Sequence, residues 1–589
     1  MISRYQNIVL LLIIALLLHC QASWATSGRN NNNPIVQPVI SGLQAEFRHG
    51  QVFITWREPA NISTESFRIY ISREPISKTS LNKSRLITSM VGPKTAADWY
   101  EDSTQSPRAT GARRGWIIKP HSEPINPNGG LFVYTVRKAD PSRVYFAVMG
   151  KNEQADLLVP GTNSLMQPVE ISHGNPQPIW QLNEQESDSA IGKPLALYLH
   201  SHQSRPKGTL SYLFFGDSTM GWREGLPFKF KITLNEDLLL LEPYDRVWIN
   251  RKMAAEEARP NNGLYDTQFK NIETWWYGTN SYIYDAQKMP WGQPVNYTER
   301  WVMKVLGWVQ QQYKTDTNRV YAFGASMGSG VLRWVLQYGN KFASADLQVP
   351  ILDPFGEGAI GRRMATRLGM PESICSDNVP LADRLNTLKT IRQSNDGITP
   401  IIIRAGRKDR SVFWTAKPGM MRLLQEKKYF LLMGWDNGSH MNAMRKNYEA
   451  FPGWFDFKWH IRHFALNKSY PVFTNASFDQ NPGNGQESDG DLTGFVNRGL
   501  DWEVLADKHN EYRLIVKSLK TNVLLPVTVD ITPRNLQQFK NFSSRKVEAH
   551  NIDAAGKVVQ REKIKVVNGL VTFKNFRITS CEGNQLVLK

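Results

Sequence analysis

The sequence predicts an α/β domain built on a mostly parallel sheet, with a small β-sandwich before it and another after it. Three observations carry that reading. From about residue 180 to 470, short apolar runs alternate with stretches of helical repeat, the pattern of a sheet whose strands are buried on both faces. Residues 38–175 and 495–589 instead carry strands of period two separated by polar turns. Between these flanks, Arg319-Val-Tyr-Ala-Phe-Gly-Ala-Ser-Met-Gly-Ser-Gly330 reads as an apolar strand, a tight glycine turn carrying Ser326, and the start of a helix.

The chain has 589 residues, enough for three or four domains at ~100 to 200 residues each. Residues 1–25 have Arg4, an apolar run from Ile8 to Leu18, and Ser23-Trp24-Ala25 at the position of a cleavage site. They read as a secretory signal, so the expected location is extracellular or periplasmic. The apolar run is shorter than the ~20 residues that span a bilayer, and no later run reaches that length, so no integral membrane segment is expected in the mature chain. Cys20 follows Leu-Leu-His, which disfavours a lipid anchor. Only Cys375 and Cys581 lie beyond the signal, too few for a disulfide framework. The formal charge of +18 suits anionic surfaces or polymers, but no cluster of Lys and Arg accompanies it, and no nucleic-acid partner is expected.

Residues 26–37 are an asparagine-rich linker. Strands are then expected at Gly50–Trp56, Phe67–Ile71, Gly130–Val136 and Arg143–Val148. With Trp56 on the second strand and Tyr70 and Tyr145 as packing aromatics, residues 38–175 resemble a fibronectin type III domain. The stretch from Ile76 to Pro127 is longer than that family's connections.

In the domain at 180–470, Leu195–Leu199 and Leu238–Leu241 read as buried strands. A helix starts at Asn296, with Glu299 as the capping partner three residues on, and has Val302, Val305, Leu306 and Val309 along one face. Further strands are expected at Leu347–Leu352, Ile401–Arg404 and Tyr429–Met433. Residues 475–494 are rich in Asn, Asp, Gly, Ser and Gln and read as a linker or long loop. The last part, 495–589, has strands at Tyr512–Val516, Val527–Ile531, Lys546–Ala549 and Gly569–Phe573.

The chemistry gathers at the ends of the parallel strands. In a G-x-S-x-G turn the serine stands on a strained strand-to-helix bend, which requires Gly324 and Gly328 to lack a Cβ. A serine hydroxyl is a poor nucleophile alone; it needs a base within hydrogen-bond reach and an acid that orients the base. Asp409 follows the strand Ile401–Arg404 and His440 follows Tyr429–Met433, placing both at the sheet edge where Ser326 emerges. Asp353 and Asp436 are alternative acids.

This constellation resembles the α/β-hydrolases over about residues 180 to 465. The run Asp316–Gly328 looks like the elbow of the secreted esterase branch that includes feruloyl esterases and polyhydroxyalkanoate depolymerases. That branch shades into prolyl-oligopeptidase-like peptidases. The resemblance implies Ser326 as nucleophile, His440 as base and Asp409 as acid. The oxyanion hole would take one donor from Met327 and a second from the loop His200-Ser-His-Gln203, Ser201 or His202. No cofactor is expected. His200 and His202 have no matching ligand cluster nearby, so no metal is expected either.

Trp275-Trp-Tyr277 and Trp291 could line a groove for a sugar ring or hydrophobic polymer, or could pack an insertion; the sequence leaves both open. The expected activity is hydrolysis of an ester on a polysaccharide side group, a polyester or a small ester, with contact to polysaccharide or cell surface through the flanks. A serine peptidase, and a binding protein on a hydrolase scaffold, are the alternatives.

Overall fold

The computed structural model of the chain describes residues 37–96, 118–177, 188–200, 211–213, 228–248, 271–282 and 291–589, except 65, 120–121, 127, 175, 244, 246, 273, 358, 366, 396, 441, 445–450, 453–455, 520–523 and 540–545. The signal expected at 1–25, the asparagine-rich stretch to 36, and Ser201 and His202 lie outside the described residues. No described helix is long and apolar enough to cross a membrane.

The N-terminal strands are β1 (Ser41–Arg48), β2 (Gln51–Arg57), β3 (Phe67–Ser72), β4 (Arg85–Val91), β5 (Gly130–Thr135), β6 (Arg143–Gly150) and β7 (Val169–Glu170). They form two antiparallel sheets, one ordered β1-β2-β5 and the other β4-β3-β6-β7. Both contribute to a single apolar core. Trp56 of β2 meets Phe67 of β3 edge to face, ring centroids 5.3 Å apart, so the indole expected to pack does join the sheets.

Among the described residues the central sheet has nine strands. The four on one side are β8 (Leu195–Leu199), β9 (Ser211–Leu213), β10 (Phe228–Leu234) and β11 (Leu239–Pro243). Two short antiparallel pairs follow, β12 (Val247–Trp248) with β13 (Asn271–Ile272) and β14 (Thr279–Asn280) with β15 (Pro294–Val295). Then come helix α1 (Tyr297–Tyr313), β16 (Val320–Ala325), α2 (Val331–Gln337), β17 (Ser344–Gln348), α3 (Ala359–Ala365), α4 (Leu381–Leu385), α5 (Thr387–Gln393), β18 (Ile401–Gly406), α6 (Lys417–Glu426), β19 (Leu431–Asp436) and α7 (Phe457–His463). After β20 (Tyr470–Thr474), β21 (Gly494–Val496) closes the sheet, whose order is β21-β19-β18-β17-β16-β8-β11-β10-β9. From β11 to β19 every pairing is parallel, and the antiparallel strands sit at the two edges.

Two local expectations change. β17 ends at Gln348, short of the expected Leu352, because Val349 turns into the left-handed region (φ 45°) and Pro350 has no N–H for a ladder. Glu299 does not cap α1. Its fully buried carboxylate accepts from Arg333 Nε at 3.1 Å, Trp334 Nε1 at 3.0 Å and Tyr338 Oη at 3.1 Å, tying α1 to α2. Val302, Val305, Leu306 and Val309 do face the core.

The remaining strands are β22 (Leu500–Lys508), β23 (Glu511–Ser518), β24 (Val527–Arg534), β25 (Lys546–Ile552), β26 (Val558–Lys565), β27 (Phe573–Ile578) and β28 (Asn584–Leu588). β27 begins where Gly569–Phe573 was expected to end. Asn568 and Gly569, both with positive φ, make a tight turn closed by mutual bonds between Val567 and Leu570. The chain also crosses between layers around 475–494. β20, before that stretch, pairs with β24 in the tail sheet β20-β24-β27, whereas β21, after it, pairs with β19 in the central sheet. The tail consequently shares one apolar core with a face of the central sheet, where Phe430, Phe464, Phe473 and Trp502 meet.

Candidate active site

β16 enters a turn at Ser326, whose φ of +53° is rare for a residue with a Cβ. The turn closes only because its flanks are glycine. A Cβ on Gly324 would stand 2.1 Å from the Gly328 carbonyl oxygen, and one on Gly328 2.0 Å from that of Leu199 on β8. Ser329 buttresses the bend: its Oγ donates to the Ser326 carbonyl at 2.5 Å and accepts from Ile351 N at 3.1 Å.

The side chains expected to act together do meet. His440 Nε2 is 2.8 Å from Ser326 Oγ, and His440 Nδ1 is 2.7 Å from Asp409 Oδ2. Asp409 is buried, and its other oxygen accepts from Ser411 N and Val412 N, each at 2.8 Å, so its carboxylate plane is held by its own loop. The alternative acids are engaged elsewhere. Asp436 accepts from Gly438 N and Met444 N, both at 2.9 Å, and shapes the loop that carries His440. Asp353 accepts from Gly356 N at 3.3 Å, capping a short 3-10 turn.

Sequence reasoning missed the groups beneath the acid loop. Lys417 is buried and donates to the carbonyls of Phe413 at 2.5 Å and Val412 at 3.5 Å. Glu357, also buried, accepts from Phe413 N at 3.0 Å and Leu352 N at 3.3 Å. Burial pushes the lysine's pKa down and the glutamate's up. The polar type at 357 and 417 gave no signal, since both look like surface charges in the sequence.

The aromatic cluster divides between the two readings. Trp275, Trp276 and Tyr277 are buried on a turn held by Asp245, which accepts from Thr274 N at 3.2 Å and Trp276 N at 3.4 Å. Trp276 Nε1 donates to the His200 carbonyl at 3.1 Å, and Arg333 Nη2 to the Trp276 carbonyl at 2.9 Å. These rings pack under the elbow. Trp275 also lines a mainly apolar recess beside Met327, together with Ile351, Pro354, Met364 and Leu368. Trp291 is 73% exposed. At the end of β8, His200 Nε2 pairs with Glu242 at 2.9 Å. The second oxyanion donor expected at Ser201 lies outside the described residues.

The strand order and the serine on a left-handed turn define a class, a serine hydrolase of the α/β-hydrolase type. Within that class, residues 278–459 match the prolyl oligopeptidase family. A search of curated proteins gave no match. Among solved structures the chain is similar to an S-formylglutathione hydrolase from Agrobacterium tumefaciens, at 14% identity over 46% of this chain and 85% of that one, TM-score 0.28. It is also similar to esterase 2 of Thermogutta terrifontis, 11% identical over 47% and 82%, TM-score 0.24. A third is the acylaminoacyl peptidase of Pyrococcus horikoshii, 12% identical over 69% of this chain and 52% of that one, TM-score 0.26. This chain thus spans about half the length of that peptidase.

Proposed function

We propose that the chain is an exported serine esterase that cleaves ester bonds on a polysaccharide side group or a polyester through an acyl-enzyme. The observation that carries the proposal is the continuous line from Ser326 Oγ through His440 to Asp409, at 2.8 Å and 2.7 Å. Ser326 attacks the acyl carbon as His440 Nε2 takes its proton. His440 then returns that proton to the leaving alkoxide, and the same cycle with water releases the acid. Asp409 holds the imidazole so that Nε2 faces the serine. The Met327 N–H is one donor to the oxyanion, being the first amide after the nucleophile.

The paired sheets before the central domain, read as a fibronectin-like sandwich, and the tail strands suit an enzyme that stays near a polymer, where tethering raises the local substrate concentration. A second reading, cleavage of peptides, is favoured by the match of 278–459 to the prolyl oligopeptidase family. The described strands before the central domain pair into two antiparallel sheets and not into the repeated four-stranded blades of a propeller. The test is a fluorophosphonate probe and a panel of p-nitrophenyl esters, feruloyl and acetyl sugars, polyhydroxybutyrate and proline-containing peptides, each run beside Ser326→Ala. Ser326-dependent turnover of esters supports the proposal. Serine-dependent turnover of the peptides alone establishes the second reading, and labelling that survives Ser326→Ala overturns both.

A further inference from the structure

Two residues before Asp409, just past the end of β18, the side chain of Arg407 ends inside a ring of backbone carbonyls. Its Nη1 donates to Gly490 at 3.0 Å and Asp491 at 2.5 Å; its Nη2 donates to Gln486 at 3.2 Å, Glu487 at 2.7 Å and Asp489 at 2.8 Å. The residue is 1% exposed, and its guanidinium lies 5.8 Å from the centre of the Trp414 ring. All five acceptors belong to the stretch that the composition marks as a linker or loop. They point inward because the loop satisfies its own N–H groups with its own side chains: Asn481 N and Asn484 N donate to Asp491 and Asp489, each at 2.7 Å, and Gly483 N and Gln486 N donate to Asn481 and Asn484, each at 2.9 Å.

Burying a charge is unfavourable unless it is fully hydrogen-bonded, and Arg407 Nε is buried without a hydrogen-bond partner among the described residues, so this guanidinium is a poor device for stability alone. Its geometry serves placement better. The backbone of Arg407 is the seam between the acid and base loops, with Arg407 N donating to the Asp436 carbonyl at 2.8 Å and Lys408 N to that of Gly438 at 3.0 Å. The same loop holds the base side, since Trp435 Nε1 donates to the Asp491 carbonyl at 2.8 Å. It lies tight against the acid side too. Gly485, at φ +104°, packs where a Cβ would be 2.3 Å from the Thr415 carbonyl oxygen.

We propose that Arg407, clasped by the 486–491 carbonyls, is a positioning residue that sets the spacing of Asp409 and His440. The inference rests on the catalytic reading of those two residues given above. Arg407 touches no reacting atom; it acts by locking the two loops that carry the acid and the base. A shift of about 1 Å in such a pair is worth about 100-fold in rate.

The experiment compares wild type, Arg407→Ala and the milder Trp435→Phe on one p-nitrophenyl ester that the wild type turns over in a Ser326-dependent way. Arg407→Ala is expected to lower kcat about 100-fold with KM within about threefold. Ethylguanidinium at millimolar concentration should restore part of that loss in Arg407→Ala and leave wild type unchanged, because it refills the carbonyl ring without a covalent tether. Trp435→Phe, which removes one bond to the same loop, should lower kcat several-fold with KM unchanged. A folded Arg407→Ala with wild-type kcat overturns the proposal, as does a loss of kcat that ethylguanidinium leaves untouched. If Arg407→Ala does not fold, Trp435→Phe decides, and wild-type kcat in that variant overturns it. Absence of Ser326-dependent turnover in the wild type is a different result, which defeats the catalytic reading itself.

Discussion

The two flanks of the central sheet look alike in sequence and are built on opposite principles. The N-terminal strands bury their apolar faces against each other, in a core drawn entirely from residues between Val39 and Ile171. The C-terminal strands bury theirs against the central sheet as well, so Tyr321, Phe323, Ile402, Phe430 and Leu432 belong to the same cluster as Trp502, Val529 and Phe576. Alternating strands tell which residues face inward, but not what lies opposite them. One flank is therefore separable from the chemistry and the other is part of its foundation.

The largest effect that sharpens this contrast is truncation. A chain ending before Leu500 loses β22 to β28 and exposes the apolar face on which Phe430 and Phe464 sit. It should fail to give a cooperative melt by circular dichroism, and should be recovered only in the insoluble fraction. A soluble, active truncated enzyme would mean that the central sheet covers that face by itself.

Next in size is the charge network under the shared face. Asp346 on β17 pairs with Arg404 on β18, and His460 of α7 donates to or accepts from Ser344 Oγ at 2.7 Å. Breaking a buried pair typically destabilises by about 3–5 kcal/mol, so Asp346→Asn should lower the urea midpoint markedly at pH 7. The pH dependence follows from burial. Burial would raise the Asp346 carboxyl, but Arg404 and His460 outweigh it and hold its pKa below the usual carboxylate value. Burial drives the His460 pKa down. Both groups thus add stability that is complete above the unfolded values. His460 begins to lose its share as pH falls below about 6.5, and Asp346 its share below about 4. Wild-type urea midpoints measured from pH 8 to pH 3 should fall along that course, and the Asp346→Asn variant should show a shallower fall at the acid end, where Asp316, Asp501 and Asp507, whose pKa values are also held down, still contribute.

What the sequence revealed follows the same division between local and distant determinants. Ser326, Asp409 and His440 were legible because each sits directly after an apolar strand, where strand order dictates that loops converge. The elbow was legible because glycine on both sides of a serine has a local steric meaning. Arg407, Lys417 and Glu357 were not, since their burial depends on loops distant in sequence. Glu299 was misread for the same reason: its spacing from Asn296 fits a cap, yet its donors come from α2. The crossing of β20 and β21 between sheets leaves no mark in a composition that reads only as polar.

A matched pair of tryptophans comes third. Trp502→Ala removes a ring within 6 Å of Phe430, Phe464 and Phe473, and Trp56→Ala removes one at 5.3 Å from Phe67. Each local loss should be about 3–5 kcal/mol. The difference lies in what melts. Trp502→Ala should lower the temperature at which ester hydrolysis is lost, whereas Trp56→Ala should shift only a calorimetric transition that leaves hydrolysis intact.

The smallest expected effect on chemistry is removal of the whole N-terminal flank. Its core contains no residue of the central sheet, and Ser326, Asp409, His440 and the recess beside Met327 all lie beyond residue 270. One contact warns where to cut: Trp308 Nε1 on α1 donates to Gln177 Oε1 at 2.9 Å, so the segment at 177 belongs with the central domain. A chain starting at residue 176 should hydrolyse a small p-nitrophenyl ester with kcat and KM within about twofold of the full chain, since no group touching Ser326, His440 or Asp409 is lost. On the proposal that the flank holds the enzyme to a polymer, the same deletion should lower the rate on an insoluble polymer at low enzyme concentration. A loss of kcat on the small ester would show that the N-terminal flank, like the C-terminal one, supports the sheet, and the contrast between them would be gone.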